Sequence, residues 1–382
     1  MQLSAHPRRI DVLVLGVCLL ASVAAAQPQP AGIRVQGPGT PPQLGFACCE
    51  HGIPEMQALF ANPAVIPSLQ TLRASVALPI LDFSPQRAAV VHQLNQANVP
   101  VIAWIMLSKE HGFYLNADNV PLARNRITAF DQWTRANNLK WVAVGLDVEP
   151  NFAELGLLKG HPLRLMATLI RRSFNEHRIA SARRAYSALI AQIRASGYPV
   201  QIYQMPYIVA ERDVHSDLLD RLLGTVDVRG NQDYLMLYTS FAHPVGAAMI
   251  WSLGRNASGI AVGSTDGAAT PGAAPLNWTE FSRDLIVASH FTPHIGIYDL
   301  EGCIRQGFLP RLESMDWSQS VVIPADAVAR ARRFGLFLRA ALWVGPYLAY
   351  IILAAILLIA WLIWHWRRRR KSREISKQNT PQ

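Results

Sequence analysis

Residues 142–150 read VAVGLDVEP, an apolar run that ends in Asp147 and Glu149. Residues 294–302 read HIGIYDLEG and end in Asp299 and Glu301. Side chains two apart on a strand point the same way, so each pair can aim two carboxyl groups into one space. Like charges held close push one pKa upward. A carboxyl group still protonated near neutral pH is what a general acid requires. The pairs therefore suit proton transfer to a leaving group. The plain alternative is that such acids cap helices or pair with arginines. Two further runs end in acids: QLGFACC leads into Glu50 and His51, and ALPIL into Asp82.

These residues need elements to hold them. Eight short apolar runs lie at 43–52, 74–84, 99–108, 140–150, 198–208, 233–241, 258–267 and 294–302. Between them stand segments such as SPQRAAVVHQLNQAN and LARNRITAFDQWTRANN, with apolar residues at three- and four-residue spacing, the helical period. The longest helical stretch is 162–196, and residues 268–277 read as a surface loop. Alternating strands and helices imply a parallel sheet with helices outside. Eight such repeats predict an α/β fold, a (β/α)8 TIM barrel, over residues 44–323. An open doubly wound sheet is the alternative, but no Gly-rich dinucleotide loop follows any strand and no cofactor is expected. Barrel enzymes carry their active sites at the C-terminal ends of the strands, where this chain puts its acids.

GLDVEP resembles the end of the fourth-strand signature of family 18 glycoside hydrolases, the chitinase-like barrels, which reads DGxDxDxE. Its D-x-E half is Asp147-Val148-Glu149, while Val142 and Gly145 replace the two earlier aspartates. The family's M-x-Y-D motif is matched in MLYT by Met236 and Tyr238, with Thr239 in place of the aspartate. The resemblance implies retaining, substrate-assisted hydrolysis of an amino-sugar glycan. Glu149 would protonate the glycosidic oxygen, Asp147 would orient the acetamido group, and Tyr238 would hydrogen-bond the developing oxazolinium. Without an acetamido group a second carboxylate must act. Glu301, Asp299 and Glu50 are the candidates, in that order.

Sugar sites also need flat apolar surfaces. Trp104, Tyr203, Tyr207, Trp251 and Tyr298 lie in or after strand runs, and Phe113-Tyr114 lies in the polar loop SKEHGFYLNADN. A second chemistry is open to the same acids. Glu50, His51, Asp82, Asp147, Glu149 and Glu301 could surround Mg²⁺ or Ca²⁺, as in barrel phosphodiesterases, although the H-R-G and E-x-D signatures of those enzymes are missing. A third reading is a sugar-binding barrel without turnover.

Both ends of the chain are apolar. Residues 1–26 have the layout of a signal peptide: Arg8 and Arg9, an apolar stretch, then Ala24-Ala25-Ala26. Residues 27–43 read as a flexible leader and 324–341 as an amphipathic juxtamembrane helix. Residues 342–364 are long and apolar enough for one transmembrane helix, which takes ~20 residues. A basic tail at 365–382 follows, and basic residues stay on the cytoplasmic side. The body is thus expected outside the cytoplasm, periplasmic or extracellular, tethered to the membrane.

The net charge of +10 divides unevenly. Residues 1–26 carry +1 and 334–382 carry +7, leaving +2 for the body. The basic balance is a property of the anchor and does not indicate nucleic acid as a partner. Three cysteines remain after signal removal, Cys48, Cys49 and Cys303. The first and eighth strands are neighbours in a closed barrel, so a Cys49–Cys303 disulfide is expected slightly ahead of Cys48–Cys303.

Overall fold

A computed structural model describes residues 32–151, 162–243, 245–266 and 274–378, without side chains for 162–167, 348–356 and 367–378. The expected signal peptide and part of the 268–277 loop lie outside the described residues. Strand β1, Ile33–Gln36, pairs antiparallel with β10, Ser320–Ile323. The stretch expected as a flexible leader therefore contains a strand. Its signal was hidden because four residues with one buried side chain, Val35, give no readable alternation.

Eight parallel strands close into a barrel: β2 Gln43–Ala47, β3 Ser75–Ile80, β4 Val101–Ile105, β5 Ala143–Val148, β6 Val200–Gln204, β7 Gln232–Met236, β8 Gly259–Gly263 and β9 His294–Tyr298. Each falls inside one of the eight expected runs or starts one residue before it. β9 pairs with β2 and completes the ring. Strand alternation divides the core. Outward residues such as Leu78, Ile105, Leu146 and Ile202 pack under the helices. Ala77, Ile102, Trp104 and Ala143 fill the interior. In the interior Tyr203 stacks on Tyr234 at 5.0 Å, and their hydroxyls donate to Gln201 and Gln232.

The outer helices start where their sequences cap them. Ser84 accepts from the Arg87 amide at 3.2 Å, with Pro85 opening the helix Pro85–Gln96. Asn277 and Glu280 form a capping box for Trp278–Ser289. Helix Glu176–Ala195 returns to the start of β6, so its first turn lies at the mouth of the barrel.

One continuous helix, Ala325–Gln378, with Pro346 inside it, covers both the juxtamembrane and the anchor segments. It docks on the barrel through an Arg339–Asp213 ion pair at 2.7 Å and through buried Leu342. A Cβ on Gly345 would lie 2.3 Å from Leu218 Cδ2, so a larger residue would have to push the Leu218 tip aside. Among the described residues no helix is long and apolar enough to cross a membrane. The expected span at 342–364 includes residues 348–356, which lie outside the described side chains.

Candidate active site

β5 positions the first pair. Asp147 sits on the strand, opposite Tyr203 of β6, and is 4 % exposed. Glu149 follows the strand and keeps a partly exposed edge. The loop after β4 fixes both. Leu115 donates to the Asp147 carbonyl and accepts from the Glu149 amide, each at 3.0 Å, which prolongs the sheet beyond β5. That loop is folded by Asn119, whose amide donates to the carbonyls of His111 and Tyr114, and by Tyr186, whose hydroxyl donates to the Asn116 carbonyl at 2.9 Å. Tyr186 was not legible from the sequence, because it acts on backbone 70 positions away, and Asn119 acts within a loop that has no periodicity to mark it.

Burial raises Glu149 to about 7. Burial also drives Asp147 well above the usual carboxylate range, with further contributions from the Glu149 and Glu50 charges. The Trp104 indole N–H faces Asp147 and works against this rise. Even so, neither Trp104 Nε1 nor Asp147 Oδ1 reaches ordinary hydrogen-bond geometry. The sequence suggested that the Asp147 charge keeps Glu149 protonated. Desolvation is the leading cause for both, and the interaction of the two charges adds to it.

Glu50, at the end of β2, joins the two acid pairs. Burial comes first among the influences that raise it to about 8, followed by the charges of Glu149, Asp299 and Glu301. A hydrogen bond with Tyr298 opposes the rise, and Glu50 Oε1 is buried without a partner. The sequence ranked Glu50 last of the three candidates for a second carboxylate. Asp299 is the N-cap of the helix Leu300–Arg305 and accepts from Gly302 N at 2.8 Å. It is raised to about 8 by burial and by Glu301. Glu301 accepts from the Cys49 amide at 2.6 Å, while its Oε2 is buried and unpartnered. It too is raised, chiefly by burial. Asp266, after β8, contributes charge to both Asp299 and Glu301. It ends its run as the other acids end theirs, and that signal could have found it.

The aromatics divide. Tyr114, Tyr238 and Tyr298 are partly exposed, and all three feel Glu50, Tyr114 and Tyr238 also Asp147 and Glu149. Tyr238 and Tyr298 lie 5.3 Å apart between ring centres. Trp104 and Phe113 are buried in the interior cluster and present no open face, so they line the floor instead of a sugar platform. Phe113 reads as a loop residue from sequence, but its loop folds inward and buries it. The Tyr207 hydroxyl is bonded to Thr225. Trp251 packs on His290 and Phe291, away from the acids.

Asp82 leaves the candidate metal set. Burial works against it, but hydrogen bonds from Arg87 and Ser84 hold it at about 2. Arg87 is fully buried and meets it at 2.9 Å. His51 is exposed. Among the described residues no group of three or more His, Cys, Asp or Glu is arranged to hold a metal ion. Thr239, where family 18 has aspartate, bonds Asp284 instead of entering the site. The three cysteines are buried and unbridged. Cys49 Sγ lies against Cys48 and Cys303 Sγ against Thr265, so the expected Cys49–Cys303 bridge is not formed in this structure.

The chain matches no protein-family profile and no curated protein. Among solved structures it is similar to the PgaB (BpsB) glycoside hydrolase domain from Bordetella bronchiseptica, at 9 % identity and TM-score 0.43, covering 72 % of this chain and 99 % of that one. A D-tagatose 3-epimerase-like protein matches at 10 % identity and TM-score 0.42, covering 71 % and 97 %. D-allulose 3-epimerase from Methylomonas sp. matches at 12 % identity and TM-score 0.38, covering 81 % and 100 %. These likenesses concern the barrel alone.

Proposed function

We propose that this chain is a membrane-anchored, extracytoplasmic glycoside hydrolase acting on an amino-sugar glycan by carboxylate general acid catalysis. The observation that carries this reading is the group of acids at one end of the barrel. Asp147, Glu149, Glu50, Asp299 and Glu301 all sit above the usual carboxylate range, next to Tyr114, Tyr238 and Tyr298. Raised carboxylic acids at strand ends supply protons near neutral pH.

In this mechanism Glu149 gives its proton to the glycosidic oxygen as the bond to the anomeric carbon breaks. On an N-acetylated sugar, neutral Asp147 orients the acetamido group, whose carbonyl oxygen bonds to the anomeric carbon. Water then opens that ring and returns a proton to Glu149. On a sugar without the acetamido group, Glu50 would act as the second carboxylate in its ionised form, which the Tyr298 hydrogen bond favours against burial, since Asp299 is engaged as a helix cap and Glu301 by the Cys49 amide. Tyr298 holds Glu50 in place. The anchor is supported by the apolar run itself and by exposed Trp343, Tyr347, Trp361 and Trp364 on the long helix.

The test is turnover of a panel of amino-sugar polymers by the parent and by Glu149→Gln. General acid catalysis is worth ~10²–10⁴-fold, so the variant should lose that much while still binding. Full activity in Glu149→Gln would remove the assignment. Binding without turnover by the parent would make the chain a sugar-binding barrel.

A further inference from the structure

The long helix fixes which way the mouth points. Its start follows β10, whose ribbon partner β1 leads into Gly37. A Cβ on Gly37 would lie 3.1 Å from Ile286, in the last turn of Trp278–Ser289, which returns to the start of β9. The helix therefore begins at the closed end of the barrel. Gly345 meets Leu218, one helical turn before Arg221. Arg221 in turn donates to the Ser173 carbonyl and to Glu176, at 2.6 and 3.2 Å. Glu176 opens the helix whose first turn is at the mouth, so Gly345 is at mouth level. From Ala325 to Gly345 the helix rises about 30 Å at 1.5 Å per residue. Helix Glu176–Ala195, with 20 residues, spans that same height. The apolar stretch after Pro346 thus continues beyond the mouth.

This shifts the span expected at 342–364. Leu342 and Gly345 pack on the barrel, so the hydrocarbon segment begins near Tyr347. From there to Trp366 the helix is about 30 Å long, the thickness of a hydrocarbon core. A second observation agrees. Among the described residues outside the long helix, the exposed large aromatic side chains are Phe174 and Phe241, 60 % and 39 % exposed, while Val142 and Val322 are single exposed valines away from the rim. Phe174 lies two residues before Glu176, and Phe241 follows β7, so both are on the mouth rim. Ile170, 55 % exposed, precedes Phe174 by one turn. Apolar rim residues of this kind sit at the lipid interface.

We infer that the barrel mouth faces the bilayer and that its substrate is a saccharide carried on a membrane lipid. This rests on the anchored glycosidase proposed above and narrows its substrate class. A soluble chain would have to enter between the rim and the headgroups, whereas a lipid-linked saccharide is already there.

The test uses the full chain in vesicles with a quencher on the lipid headgroups. Glu110→Cys, exposed beyond β4 on the mouth side, and Gln96→Cys, exposed at the closed end, each carry a fluorophore. Cys18 is replaced by serine, and Cys48, Cys49 and Cys303 are buried and stay unlabelled. The Glu110 probe should be quenched several-fold more than the Gln96 probe. Equal quenching, or the reverse order, overturns the inference. Failure of the protein to float with vesicles overturns the anchor itself.

The substrate arm compares an N-acetylglucosamine oligosaccharide on a polyprenyl diphosphate in the same vesicles with the free oligosaccharide. Faster hydrolysis of the lipid-linked form supports the inference. Glu149-dependent hydrolysis of the free form alone overturns the substrate class and leaves the glycosidase standing. Hydrolysis of neither, with the Glu110 probe quenched, overturns the glycosidase and leaves the orientation supported.

Discussion

Replacing Glu50 by glutamine should stabilise the protein in mild alkali and leave it unchanged in acid. Burial and the surrounding carboxylates raise Glu50 from 4.5 to about 8. A raised acid is held protonated by the fold. Below about pH 4.5 the folded and unfolded chains both carry the proton, and the group contributes no pH dependence. Between that pH and about 8 the unfolded chain releases the proton first, and stability falls as pH rises. At about 1.4 kcal/mol per unit, the full shift would cost about 5 kcal/mol above pH 8. Neighbouring carboxyls take up protons as Glu50 ionises and relieve part of this cost, so about 2–3 kcal/mol is expected. Glutamine keeps the shape and can still meet Tyr298. For a chain of this size each kcal/mol moves Tm by about 2–4 °C. Thermal unfolding of the parent and Glu50→Gln, followed from pH 4 to 9, reads the effect. The two curves should coincide in acid and separate through pH 5–8, with the variant higher. A constant offset, or a variant less stable at pH 8.5, would refute the electrostatic account.

Other outcomes follow from the same geometry. Arg87→Met should cost about 2–4 kcal/mol by chemical denaturation, because it strands the Asp82 carboxylate and the Pro79 carbonyl it now bonds. The stability Asp82 contributes should be present above about pH 4 and disappear as pH falls through about 2, so Asp82→Asn should matter at pH 6 and not at pH 2. Gly345→Leu should separate the long helix from Leu218, seen as faster proteolysis between residues 325 and 346 with barrel stability kept. Three thiols should react in the denatured, oxidised protein after signal removal; a count of one would show a bridge, and peptide mapping would then tell Cys49–Cys303 from Cys48–Cys303.

The sequence by itself determined the eight strands and their alternation with helices, while closure into a barrel instead of an open sheet was decided by the pairing of β9 with β2. Short apolar runs separated by segments of helical periodicity are satisfied by strands that are covered by helices. All eight runs fold as strands for that reason. It also placed Asp147, Glu149, Glu50, Asp299 and Glu301 at strand ends, since a barrel brings every strand terminus to one mouth. Roles within that mouth depended on partners far apart in the chain. Cys49 and Glu301 meet across 252 positions. Whether Asp299 is a cap, Asp82 an arginine partner or Phe113 a floor residue is set by backbone amides and guanidinium groups that no local pattern announces. The same holds for the β1–β10 ribbon, two four-residue strands too short for periodicity to register, joined from opposite ends of the chain. Tertiary structure alone decided that burial, more than the neighbouring charge, raises Glu149, because desolvation is a property of everything packed around a group.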